Sequence, residues 1–79
     1  VASLWRFVVD IYEPGTSTAY PVLRHVFFGL DEEEAYGTFE AHMTTDEFLR
    51  GCVEKGRWNG LDCIAKAQWL APGEQIPED

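Results

Sequence analysis

Leu4-Trp5-Arg6-Phe7-Val8-Val9-Asp10-Ile11-Tyr12 is the stretch that decides the fold. Trp5, Phe7, Val9 and Ile11 occupy alternate positions, with Leu4, Arg6, Val8, Asp10 and Tyr12 between them. Successive side chains of a strand point to opposite faces, so this period of two predicts a β-strand with one strongly apolar face. Glu13 to Ala19 contains Pro14, Gly15, Ser17 and two threonines, a turn composition. Tyr20 to Leu30, rich in Val and Phe, then predicts the return strand of a hairpin. Its register is open, because Val22, Val26 and Phe28 on one face are matched by Leu23 and Phe27 on the other. Pro21 lacks an N–H and is expected at the start of that strand or on an edge.

Beyond the hairpin the period changes. Asp31 with Glu34 three residues on predicts a helix N-terminus, where a carboxylate accepts from free backbone N–H groups and Glu32 and Glu33 complement the helix dipole. Ala35, Tyr36, Phe39, His42 and Met43 recur at helical spacing, and Gly37 is read as a point of close backbone approach. Thr44-x-x-Glu47 reads as a capping box, followed by a second apolar stripe of Phe48, Leu49, Cys52 and Val53 that ends near Gly56. Arg57 to Gly60 is a turn in which Asn59 and Gly60 tolerate positive φ. Leu61 to Leu70 predicts a third strand, with Leu61, Cys63, Ala65, Ala67 and Trp69 on one face and Asp62, Ile64, Lys66 and Gln68 on the other.

The expectation is a single α+β domain over residues 1–70 in the order β-β-α-α-β. Its three-stranded, mainly antiparallel sheet carries one or two short helices on one face. Residues 71–79 form an acidic, Pro-containing tail, expected to fray. A sheet covered on one side leaves the other bare, and Leu4, Val8, Tyr12 and Ile64 fall there, joined by Leu23 and Phe27 in one of the two registers. That is more apolar surface than a monomer usually shows, and it points to a homodimer.

Fourteen acids against six Lys and Arg give a net charge of −8 among 79 residues, a field that repels phosphate backbones and anionic lipid. Direct nucleic-acid binding and membrane association are therefore not expected. The run Asp31, Glu32, Glu33 and Glu34 is a candidate docking surface for a basic partner, although a helix start accounts for it without one. No apolar stretch approaches the ~20 residues of a membrane span, and no signal peptide is read, so a cytoplasmic protein is expected. Cys52 and Cys63 are then free thiols.

Searches for phosphate loops, nucleophile elbows and paired metal-ligand motifs find nothing. His25, His42, Cys52 and Cys63 are potential soft ligands, but each stands at least ten residues from the next, unlike the close pairs of zinc modules, so no metal or other cofactor is expected. Both cysteines fall on core faces, which disfavours a thiolate nucleophile and leans the reading away from an enzyme. Tyr36, His42, Trp58 and Trp69 are the candidate ligand or partner surface, with Trp58 singled out because it falls in a turn.

His25-Val26-Phe27-Phe28-Gly29, the acidic helix start, Ala41-His42-Met43-Thr44-Thr45-Asp46-Glu47-Phe48-Leu49 and the strand from Cys63 to Trp69 resemble, in size and layout, small orphan proteins of mobile genetic elements, the integron gene-cassette type. The resemblance implies a bacterial accessory protein, often oligomeric, and carries over no functional residue. Three readings follow. The first is a homo-oligomeric binding protein acting on a basic protein or small ligand. The second is a small-molecule-binding protein or small enzyme with an aromatic-lined pocket. The third is an acidic inhibitor of a nucleic-acid-binding protein.

Overall fold

The computed structural model describes residues 4–15 and 21–75. Five strands and two α-helices follow in the order β1 (Trp5–Tyr12), β2 (Leu23–Gly29), α1 (Glu32–Met43), α2 (Glu47–Arg50), β3 (Arg57–Trp58), β4 (Leu61–Asp62) and β5 (Ile64–Leu70), with a π-helical turn over Gly51–Lys55 continuing α2. The main sheet has the order β2-β1-β5, both pairings antiparallel, with β1 in the centre. The α+β class and the three-stranded antiparallel sheet are as the alternation in β1 predicts. The predicted turn residues Thr16 to Ala19, Tyr20 at the head of the second strand, and Ile76, Glu78 and Asp79 of the tail lie outside the described residues.

Register resolves the ambiguity in β2. Phe7 pairs with Phe27 and Trp69, Val9 with His25 and Ala67, and Ile11 with Leu23 and Ala65. Leu23 and Phe27 therefore share the face of Phe7 and Ile11, under the helices, and do not join the open face. Val26 and Phe28 take the outer side. The core comprises Phe7, Val9, Ile11, Phe27, Ala35, Phe39, Leu49 and Cys52. Phe7 is its hub, with ring centroids 5.3 Å from Tyr36, 4.9 Å from Phe39 and 4.6 Å from Trp69.

The outer face is more polar than the sequence suggests. Val8 is 0% exposed, flanked by Val26 and Gln68 across the ladders and by Arg6 and Asp10 along its own strand. Asp10 is 4% exposed and bound by Arg24 in a fork, Nε to Oδ1 at 2.6 Å and a terminal nitrogen to Oδ2 at 3.1 Å. A buried carboxylate is tolerated where a guanidinium engages both its oxygens.

The helices start as local chemistry dictates, with one revision. Asp31 is the N-cap of α1, accepting from the Glu34 N–H at 2.8 Å. The cap of α2 is Asp46, not Thr44: its Oδ1 accepts from the Leu49 N–H at 2.9 Å. The threonine hydroxyls instead donate backwards, Thr44 to the Ala41 carbonyl and Thr45 to the His42 carbonyl, adding to the backbone N–H bonds that those last carbonyls of α1 already accept. Gly56 stops the π-helical turn in the left-handed region at φ 67°.

The predicted third strand divides. Leu61 and Asp62 pair with Trp58 and Arg57 in a separate two-stranded hairpin, turned by Asn59 and Gly60 at φ 52° and 84°, and the main sheet resumes only at Ile64. The start of the tail makes hydrogen bonds as far as residue 74. Arg6 donates to the Ala71 and Glu74 carbonyls, and the Glu74 carboxylate accepts from the Ala71 N–H at 2.9 Å.

Gly37 is not a point of close approach. A Cβ there would meet nothing within 4 Å, and the residue is an exposed interior position of α1. Alanine loses less backbone entropy than glycine on entering a helix, so Gly37→Ala should stabilise the protein by about 0.5–1 kcal/mol. Thermal unfolding followed by circular dichroism should show a midpoint rise of about 3–6 °C.

Candidate functional site

The four residues expected to form one ligand or partner surface are distributed over three places. Tyr36 and Trp69 meet at 6.3 Å beside Phe7, so they belong to the rim of the core. His42 lies toward the other end of α1, against His25 and Phe27. Trp58 sits in the small hairpin, edge-on to Phe48 with centroids 5.7 Å apart.

Of these four residues, Trp58 lines a concavity. A cleft of about 490 Å³ opens between the end of β1, the start of β2 and the β3–β4 hairpin. Ile11 and Tyr12 form its floor side, Phe48 and Trp58 one wall, and Val22 and Leu61 the lips. The lips are 58% and 70% exposed, respectively, a large apolar exposure for side chains that converge on one space. Glu13 and Asp62 contribute the acidic groups of its lining. Local sequence builds this geometry: Asn59-Gly60 makes the tight reversal, and Gly51 lets the hairpin close on the π-helical turn, since a Cβ there would stand 2.7 Å from the Arg57 carbonyl oxygen. Leu61, Val22 and Phe48 were missed as site residues because in sequence they read as strand and helix core positions.

Of the proposed self-association residues, Val8 offers no surface, Leu4 and Tyr12 are partly covered and Ile64 is 42% exposed. The same face carries the Asp10–Arg24 pair and also Phe28, which is 51% exposed. The acidic run is placed as a helix start: Asp31 caps, and Glu32, Glu33 and Glu34 occupy the exposed first turn of α1.

The two cysteines are free, Cys52 buried and Cys63 partly so. Burial pushes the Cys52 thiol up to about 12, and the neighbouring Cys63 thiol and the Asp46 carboxylate add to the shift. Cys52 is thus a neutral core group at ordinary pH and not an activated nucleophile. His42 Nε2 lies 3.1 Å from Asp46 Oδ2. The Leu49 N–H holds the Asp46 carboxyl below its usual range against the opposing effect of burial, helped by His42 and, least, by His25. Among the described residues no helix is long and apolar enough to cross a membrane. No protein-family model, curated protein or solved structure matches the chain.

Proposed function

We propose that the protein is a non-catalytic binding protein whose ligand is a small organic molecule with an apolar, ring-sized body and a cationic group. The observation that carries this reading is the cleft between β1 and the β3–β4 hairpin, lined by Tyr12, Val22, Phe48, Trp58 and Leu61 with Glu13 and Asp62 among them. Its volume lies within the range of about 300–1,000 Å³ typical of small-molecule sites, and its mostly apolar lining with few polar groups matches their composition. Burying the exposed Val22 and Leu61 side chains under a ligand supplies the driving force. The cation preference follows from charge: the two side chains of the lining that carry charge at neutral pH, Glu13 and Asp62, are acids, Asp62 already engaged by Arg57 at 3.2 Å, in a chain of net charge −8. Trp58 is the natural partner for a cation that also stacks.

Amide and indole NMR spectra recorded against matched aromatic amines and aromatic carboxylates test the reading. The amines should shift the Trp58 indole and Leu61 signals at concentrations where the carboxylates do not, and the uncharged replacement Leu61→Ser should weaken amine binding by about tenfold, the loss of one apolar lip of the cleft. Equal responses to both charge types, or shifts that bypass Trp58 and Leu61, would overturn it.

A further inference from the structure

The soft donors that stand far apart in sequence do not stay apart in the fold. His25 on β2 and His42 in the last turn of α1 meet across the helix–sheet layer with ring centroids 5.3 Å apart. Asp46, the cap of α2, closes the third side. One donor atom from each of these residues lies within 4.8 Å of the other two, the only such group among the described residues.

The bland account of this cluster is an ion pair between His42 and Asp46, four residues apart, which is worth about 0–1 kcal/mol at a partly exposed position. It leaves His25 unexplained. The Nε2 of His25 is buried and has no hydrogen-bond partner. Stranding such a group costs about 1–3 kcal/mol, so its retention next to another imidazole and a carboxylate calls for a partner.

We propose that His25, His42 and Asp46 bind a divalent first-row transition metal, with zinc the ion that suits them, and that the stranded Nε2 of His25 supplies one of the bonds. Two imidazoles and one carboxylate are a recurrent donor set for zinc with an open fourth position, which a water would take. At zinc–donor distances of about 2.0–2.1 Å, tetrahedral donors lie about 3.3 Å from each other. The His42 Nε2 to Asp46 Oδ2 separation of 3.1 Å already has that spacing. A donor atom of His25 lies within 4.8 Å of those of His42 and Asp46, so binding has to draw His25 closer.

The surroundings fit a metal as well as the donors do. The Leu49 N–H engages Asp46 Oδ1 and thereby orients the carboxylate with Oδ2 toward His42, the kind of outer contact that fixes metal-binding carboxylates. Phe27 braces both imidazoles: it stacks on His25 with the planes 13° apart and packs against His42 at 5.3 Å. The His42 and Asp46 side chains are 41% and 27% exposed, so an ion can reach the site from solvent. Cys52 stays neutral and outside the donor set.

Calorimetric titration of the metal-free full chain with zinc chloride, in parallel with cobalt chloride followed by visible absorption, tests the site. Zinc should bind at one ion per chain. His25→Gln, His42→Gln and Asp46→Asn should each weaken it by about tenfold or more. Asparagine caps helices as well as aspartate does, so Asp46→Asn removes the carboxylate while α2 and the fold persist, which the far-ultraviolet circular dichroism of the metal-free variant verifies. Cobalt should give visible bands of low coordination number without a thiolate charge-transfer band. Absence of zinc binding, affinity unchanged in the folded Asp46→Asn variant, or a thiolate band with cobalt would each overturn the assignment.

Discussion

Gly29→Ala should cost the protein about 3 kcal/mol, the upper end of the usual range for forcing a methyl group into filled space. Gly29 is buried at the end of β2, opposite Trp5, where α1 crosses the sheet. A Cβ at this position would lie 2.2 Å from the Ala35 backbone nitrogen, 2.7 Å from the Glu34 carbonyl carbon and 2.8 Å from the Ala35 Cα. All three are main-chain atoms of the helix, so no side-chain rotation relieves the overlap and the helix itself has to retreat. Ala35 is fully buried against the same core, and any retreat opens space beneath Phe39. A domain of 79 residues has a total stability of roughly 4–12 kcal/mol, so the loss is a large fraction of it. Urea denaturation should place the midpoint about 2 M below wild type at slopes of about 1–1.5 kcal/mol/M. A midpoint within experimental error of wild type would show that α1 is not held down on β2 as described.

The contrast between Gly29 and Gly37 shows what was legible in the sequence. Both interrupt apolar patterns, and Gly37 drew attention because it breaks a helix, where glycine has an evident local cost. Gly29 ends a strand, where glycine looks like ordinary turn punctuation, and its reason lies in a helix backbone six residues later that only the packed structure brings close. The alternation in β1 was decisive because one face, Trp5, Phe7, Val9 and Ile11, is wholly apolar while Arg6 and Asp10 both fall on the other, whereas in β2 both faces are apolar and the register follows from the pairing with Phe7 and Ile11.

Charge misled on the outer face for a related reason. Asp10 and Arg24 read singly as solvent-facing residues, yet adjacent on paired strands they neutralise each other, and Asp10 is buried under an Arg24 side chain that stays 31% exposed. The site residues follow the same logic. His25, His42 and Asp46 come from a strand, a helix end and a helix cap, so their meeting depends on α1 lying across β2, which no spacing rule encodes. One local signal was available: His42 and Asp46 are four residues apart across a helix junction, the separation at which a carboxylate reaches back to an imidazole.

Phe7→Ala should destabilise the protein by about 3–5 kcal/mol, the range for emptying a phenyl ring from a core. Phe7 contacts rings from the helix layer and from its own sheet, edge-on to Phe39 and Tyr36 of α1 and tilted against Trp69 of β5. Such edge-to-face contacts add about 0.5–1.5 kcal/mol each beyond the area they bury. The loss is therefore not recovered by any aliphatic residue of similar volume, and Phe7→Leu should still cost about 1–2 kcal/mol. Because Trp69 packs directly on the ring, its near-ultraviolet circular dichroism should weaken in Phe7→Ala even under conditions where the variant stays folded. The Phe48–Trp58 pair joins α2 to the hairpin and, among the described residues, has no ring contact with Phe7, so ligand binding at the cleft should persist in the folded fraction. A cost below about 1 kcal/mol would mean that Tyr36, Phe39 and Trp69 collapse to fill the space, and that the core is held by its total apolar area rather than by this arrangement of rings.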